Sequence, residues 1–272
     1  MTEWNQQTLL QAPLFAPLQP CIAQLPQDTF PSLDDLNALL HTQEITVQSG
    51  HALYFVPQQT GKLGFESQYE PRCYLTGEVQ TRADNWHDLL NALVWLTFPK
   101  AKAAINTRHY QALRQDCESG SSQRGAVRDT NTLMDESGVI VACADKELAQ
   151  LLRGFQWREL FWLRRAEVQR HMGFYVFGHG LYEKAIQPYV GITGQGVILD
   201  VATEFFAWTP DVQLAHLDEK LARFWANDAN CRSTRELSPV PLLGVPGWCA
   251  ENKDASYYDN TAYFRPGRRS EL

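Results

Sequence analysis

The spacing of apolar positions divides the chain into segments of different character. Residues 1–31 carry Pro13, Pro17, Pro20, Pro26 and Pro31. Prolines this frequent prevent long helices, and the apolar residues between them predict an arm lying on the surface. In PSLDDLNALLHTQ, Leu33, Leu36, Leu39 and Leu40 form one stripe behind Ser32, a cap residue; this predicts a helix with Asn37 on its exposed side. EITVQSGHALYFVP alternates on both sides of Ser49-Gly50 and reads as a hairpin. Residues 57–80 read as a connection with a strand near 72–75. NWHDLLNALVWL is apolar nearly all round. It predicts a buried helix capped by Asp84 and ending before Pro99. PKAKAAINTRHYQALRQDC then opens a second helix with proline in its first turn, and ESGSSQRG, 118–125, reads as a loop.

Beyond it, TNTLMDESGVIVACA predicts a hairpin turning at Asp135-Glu136-Ser137-Gly138. DKELAQLLRGF and QWRELFWLRRAEVQRHM read as helices broken near Gly154. FYVFGHGLYEKAIQP passes from strand to helix through Gly178-His179-Gly180, and GQGVILDVA reads as a strand. TPDVQLAHLDEKLARFWAND is an amphipathic helix capped at Thr209, with Pro210 in its first position. Residues 232–272 are rich in Pro, Gly and Tyr and predict a coil packing on the core. Helices outnumber strands, and the strands come in pairs. The expectation is therefore an α+β, predominantly helical single domain over 1–272, with short antiparallel hairpins and an extended C-terminal coil.

Composition narrows the function. The formal net charge of −7 argues against a general nucleic-acid coat protein. The six cysteines include no CxxC pair, which argues against a zinc ribbon. The N-terminus lacks the charged and apolar regions of a signal peptide, so reduced thiols and a cytoplasmic location are expected. No apolar run reaches the ~18 residues of a membrane span.

NWHDLLNALVWLTFPKAKAAIN, RDTNTLMDESGVIV, WRELF, FGHGLYEKA with PYVGITG, LLGVPGW and YYDNTAYFRPGRR together resemble a bacterial family, domain of unknown function 3025. The resemblance runs from residue 85 almost to the C-terminus. It implies a bacterial, cytoplasmic protein of one domain and supplies no catalytic residues. The chemistry must come from the side chains.

Four constellations qualify. His87 and Asn91 are one helical turn apart on a buried helix, with Asp88 alongside. They read either as helix-start capping and a core tie, or as a His/Asp pair facing a cleft. In GHGLYEK, His179 and Glu183 also share a helix face, a donor pair suited to a divalent metal or to acid–base chemistry. Arg128-Asp129 reads as an ion pair or as an anion-binding arginine with its partner. Asp135 and Glu136 read as ordinary turn residues. Arg153, Arg158, Arg164, Arg165 and Arg170, interleaved with Trp157, Phe161 and Trp162, form a local basic aromatic stretch that the tail repeats in Tyr257, Tyr258, Tyr263, Phe264, Arg265, Arg268 and Arg269. GITGQG lacks the setting of a nucleotide loop, and no GxSxG occurs.

The expectation drawn from these is a metal- or acid/base-assisted hydrolase acting on a phosphate-bearing substrate. His87, Asp88, His179 and Glu183 are the catalytic candidates, and His179 with Glu183 the candidate ligands of a divalent ion. Asn91, Arg128, Asp129 and Arg158 are the candidate ligand-binding residues. The competing reading is a non-catalytic protein that recognises RNA or a protein partner through its Arg/Tyr surface. The two diverge on one distance: more than about 10 Å between His87 and His179 excludes a shared mononuclear site.

Overall fold

GVIVAC is buried at all six positions, and a run buried on both faces belongs in the middle of a sheet. The protein, described by a computed structural model over residues 3–61, 64–119 and 125–267, puts it there. In chain order the elements are α1 (Gln6–Gln11), α2 (Gln19–Ile22), α3 (Leu33–Leu40), β1 (Tyr54–Pro57), α4 (Tyr69–Thr76), β2 (Glu78–Thr81), α5 (Trp86–Thr97), α6 (Pro99–Ser119), α7 (Ala126–Ser137) and β3 (Gly138–Cys143). They continue with α8 (Lys146–Arg153), α9 (Arg165–His171), β4 (Met172–Val176), α10 (His179–Ala185), β5 (Thr193–Asp200), α11 (Pro210–Ala226) and β6 (Ser238–Pro241). A π-helical turn, Glu159–Leu163, leads into α9.

The class is α+β and predominantly helical, as the pattern predicts, but the strands pair differently. The larger sheet has the order β4-β3-β5-β6. β3 lies antiparallel to β4 and parallel to β5, and β5 lies antiparallel to β6. β1 and β2 form a separate parallel pair. Of the two predicted hairpins, the one at Ser49-Gly50 survives as a single antiparallel bridge, Thr46 to Ala52. The other does not exist: residues 126–137 are the helix α7. Its buried positions Thr130, Asn131, Met134 and Asp135 follow helical spacing, but two threonines and an asparagine lower the apolar contrast that would announce it. The strand expected near 72–75 is inside α4, and the strand β2 follows after Gly77, a left-handed helix end at φ 78°.

The N-terminal segment is more than a surface arm. Leu9, Leu14, Phe15, Leu18 and Ile22 are buried, and the Phe15 ring lies 5.2 Å from that of Tyr182. The C-terminal segment contributes strand β6 and is tied to the rest of the chain by side-chain bonds. Tyr263 Oη donates to the Ile192 carbonyl at 2.8 Å, and Trp157 Nε1 donates to the Arg265 carbonyl at 2.7 Å. Asn37 is not a free surface position: its side chain bonds both backbone groups of Phe55, tying α3 to β1. Part of the 118–125 loop, and Arg268 and Arg269, lie outside the described residues. No helix among the described residues is long and apolar enough to cross a membrane.

α6 is held at its start from a distance. Asp218 on α11 accepts the backbone N–H groups of Lys100 and Ala101 at 3.1 and 2.8 Å, which are orphan donors of the first turn. Burial pushes the Asp218 carboxyl up to about 6 from 3.8, against the lowering effect of those N–H groups. The folded state therefore binds this proton more tightly than the unfolded chain. The resulting stability is fully present below pH ~4 and is lost as pH rises through 6. Relative to Asp218→Asn, which has no such titration, the native protein should lose about 2 kcal/mol between pH 4.5 and 7.5, since each tenfold difference in proton affinity is worth about 1.4 kcal/mol. Denaturant unfolding of both proteins at the two pH values checks this; a constant difference refutes it.

Candidate functional site

Three chain segments meet at one point. The first is the start of α5, where the Asn85 side chain caps by accepting the Asp88 N–H. Every residue from Leu89 to Leu96 is buried, which fixes the helix and leaves His87 in its first turn with its side chain 33% exposed. The second is the start of α10, where His179 is buried. The third is the end of α7, which delivers Asp135 and Glu136 just before β3.

The histidine rings meet edge to face, with centroids 4.4 Å apart. His87 Nε2 and His179 Nε2 are 3.0 Å apart. Glu136 Oε1 lies 3.4 Å from His179 Nε2 and 3.8 Å from His87 Nε2. On the far side of each ring stands a further carboxylate. Glu183 Oε2 is 2.9 Å from His87 Nδ1, and Asp135 Oδ2 is 3.6 Å from His179 Nδ1. Among the described residues His87, Glu136 and His179 are a group whose potential ligand atoms all lie within 4.8 Å of one another. Two donor atoms bound to one ion at ~2.0–2.1 Å sit about 2.9–3.4 Å apart across the usual coordination angles; the edges of this triangle from His179 Nε2, 3.0 and 3.4 Å, fall in that range, and the 3.8 Å edge from His87 to Glu136 is wider.

The glycines around His179 explain how it comes so close. A Cβ on Gly178 would stand 2.4 Å from the backbone nitrogens of Ser137 and Gly138. A Cβ on Gly180 would stand 2.4 Å from Glu136 Oε2. The sequence GHG is thus a steric requirement for laying the start of α10 against the end of α7.

Behind the histidines is a buried polar layer. Lys102 Nζ donates to Asp135 Oδ1 at 2.5 Å and to Asn91 Oδ1 at 2.8 Å. Asn91 Nδ2 donates to Tyr69 Oη at 2.6 Å. Burial by itself would raise the Asp135 carboxyl, but the charge of Lys102, then that of His179, outweighs it and holds the group below the usual range. Burial likewise works to raise Glu136, and its contacts with His179 first and His87 second turn the balance downward. Both groups are carboxylates at neutral pH, as metal ligation or orientation of a histidine requires.

A family described as protein of unknown function (DUF3025) matches residues 53–268. The chain belongs to this family. No curated protein and no solved structure matches the chain significantly.

The DUF3025 description carries no activity, so the placement of individual residues decides what the site can do. His87, His179 and Glu183 come together, and Asn91 stands one layer behind them. Asp88 does not join: Arg82 grips it through Nε and Nη2, both at 2.8 Å, and through its backbone N–H at 2.7 Å. Arg128 pairs with Asp116 at 2.8 Å and lines a separate cavity with Arg232 and Glu236. Asp129 is exposed on α7. Arg158 faces Asp259 at 3.7 Å on the surface. The arginine series is largely engaged within the chain: Arg164 with Glu147 and Glu167, and Arg165 with the Asn252 carbonyl and Tyr258 Oη. The candidate metal donors also change. Glu183 sits on Nδ1 of His87 rather than beside Nε2 of His179, so the third donor of the triangle is Glu136.

Sequence reasoning misses Glu136, Asp135 and Lys102, because the first two read as turn residues and Lys102 is one of two lysines at the start of an ordinary helix. The signal that points toward them is the pair of glycines flanking His179, which demands a close neighbour without naming it.

Gly178 and Gly180 separate fold from site. Gly180→Ala meets the flexible end of the Glu136 side chain first, with the Glu136 carbonyl oxygen next at 3.1 Å, so it should lower the melting temperature by much less than Gly178→Ala while pushing the Glu136 carboxylate out of place. Gly178→Ala drives into backbone and should cost several kcal/mol, as overpacking with no room to relax does. Thermal unfolding distinguishes them; equal destabilisation of both would contradict this assignment of the two glycines.

Proposed function

We propose that the protein is a metal-assisted hydrolase whose divalent ion is held by His87 Nε2, His179 Nε2 and Glu136 Oε1. The observation that carries this reading is the direction of the rings. Each histidine turns Nδ1 toward a carboxylate and Nε2 toward the other histidine. With the Nδ1 atoms protonated, two lone pairs face each other across 3.0 Å, an arrangement that repels unless an electrophile lies between them. Carboxylate–histidine–metal chains orient ligands in this way. Two histidines and one carboxylate leave a coordination position for water, whose pKa a bound zinc lowers to about 7.

The chain's own contribution is then orientation and charge. Glu183 and Asp135 fix the rings, Glu136 supplies the anionic donor, and the buried body of α5 holds His87 still. The acid–base version uses the same residues without an ion, passing a proton between the two Nε2 atoms with Glu183 as the outer acceptor. Arg128 and Arg158, expected to neutralise phosphate, are engaged elsewhere. The reading therefore commits to hydrolysis and leaves phosphate and acyl substrates to be compared directly.

Purified protein should carry about one equivalent of zinc, manganese or iron, and chelation should lower its melting temperature, since an ion bound only to the native state stabilises it by mass action. His87→Ala and His179→Ala should fold, lose the ion and abolish the thermal shift. They should also lose hydrolysis of whichever of p-nitrophenyl phosphate and p-nitrophenyl acetate the native protein cleaves. Absence of metal together with no thermal shift from any divalent ion sinks the metal version.

A further inference from the structure

The same centre contains one buried polar atom whose requirement is unmet. His179 Nδ1 has no hydrogen-bond partner among the described residues, and the His179 side chain is only 6% exposed. Buried polar atoms left unpaired in a folded protein call for an explanation. The charged group facing Nδ1 is Asp135 Oδ2 at 3.6 Å, slightly beyond hydrogen-bond reach and within the small adjustment by which such contacts tighten when a site is filled. Asp135 cannot turn away, because Lys102 holds its other oxygen at 2.5 Å. Lys102 is in turn held by Asn91 at 2.8 Å, and Asn91 is bonded to Tyr69. The whole chain is fixed on α4, α5, α6 and α7, with the Lys102 side chain 3% exposed.

From this arrangement we infer that Asp135, locked in place by Lys102, is the positioning residue that keeps the proton of His179 on Nδ1 and so presents the Nε2 lone pair to the ion. The inference rests on the metal reading above. A fixed lone acceptor facing Nδ1 selects the tautomer with hydrogen on that nitrogen. The other tautomer would place a hydrogen on Nε2, directly in the ligand triangle, and would leave Nδ1 as an unpaired acceptor facing a carboxylate. Lys102 matters by geometry: by binding Oδ1 it dedicates Oδ2 to the histidine. A buried lysine–aspartate pair is poor evidence for stability, because its desolvation offsets its attraction. A positioning role explains its presence at this point.

Asp135→Asn is the informative change. Lys102 must still find an oxygen, so the amide oxygen takes the Oδ1 place and the NH2 group faces His179. An N–H donor there favours a lone pair on Nδ1 and moves the hydrogen to Nε2. Long-range 1H–15N spectra of the metal-free protein report the tautomer of His179 without reference to any ion. Zinc affinity by competition with a chromophoric chelator reports the consequence. The native protein should show the Nδ1–H tautomer; Asp135→Asn should shift it to Nε2–H and weaken zinc about 10- to 100-fold. If Asp135→Asn fails to fold, Lys102→Met/Asp135→Leu removes both charges together and should show the same loss of tautomer preference and affinity. An Nε2–H tautomer in the native protein, or unchanged tautomer and affinity in the variant, overturns the inference. A native protein with the Nδ1–H tautomer and no affinity for zinc, manganese or iron would leave the positioning role standing and remove the metal reading.

Discussion

The centre depends on how closely one short stretch of backbone approaches another. Gly178 and Gly180 lie against the last turn of α7 with no room for a methyl group, and this contact fixes the position of His179 relative to Glu136. The same junction anchors the sheet: the Gly138 carbonyl accepts the N–H groups of Phe177 and Gly178, both at 2.9 Å, and β3 begins at Gly138 between β4 and β5. A displacement large enough to admit a side chain at Gly178 would therefore disturb strand pairing as well as the site. His87 reaches the junction from a third direction on α5, whose buried body packs against α10. Rigid elements place the donors, which gives the precision that loops alone rarely provide.

Electrostatics then sorts the acids around the two histidines into roles. Asp88 is neutralised by Arg82 and serves the entry to α5. Asp135 is neutralised by Lys102 in a nearly dry environment. Neither is available as a free charge. Glu136 and Glu183, 41% and 46% exposed, keep access to solvent and to the rings. The half-exposed mouth and the dry floor thus differ in kind: the floor sets orientation, and the mouth offers ligand atoms. Truncating a member of the floor leaves a buried charge without its partner and costs stability, whereas truncating a member of the mouth chiefly changes what the site binds.

Much of this is visible in the sequence, and the gaps have physical causes. The apolar surround of His87 predicts a buried helix with a polar start, and one-turn spacing predicts that His179 and Glu183 share a face; both meet His87. Strand pairing is a long-range property, and the parallel alignment of Gly138–Cys143 with Gln195–Asp200 leaves no local trace. The α7 segment misleads because Thr130 and Asn131, buried for packing and for a bond from Trp225 Nε1 to Asn131, carry the composition of a turn or strand. Reading that helix as a hairpin makes Glu136 and Asp135 turn residues and drops them from the site. Asp88 misleads in the opposite direction: adjacency to His87 in sequence places it 100° away on the helix, toward Arg82.

Within the proposed function, the balance of charge favours the metal reading over the acid–base one. With Asp88 and Asp135 paired, Glu136 and Glu183 are the anions in contact with the two histidines among the described residues. Two imidazolium rings would neutralise them but would put two positive charges 3.0 Å apart at Nε2, with one ring buried and poorly solvated. One shared proton leaves a net negative charge in the crowded mouth. A divalent ion balances the two carboxylates while both imidazoles stay neutral, which is the form that ligates. The same arithmetic explains why Arg82, Arg128 and Arg158 can all be committed to other carboxylates. On the metal reading proposed above, an ion in the triangle would supply the positive charge that a substrate oxygen needs, and a guanidinium beside it would compete with the ion for Glu136 and Glu183.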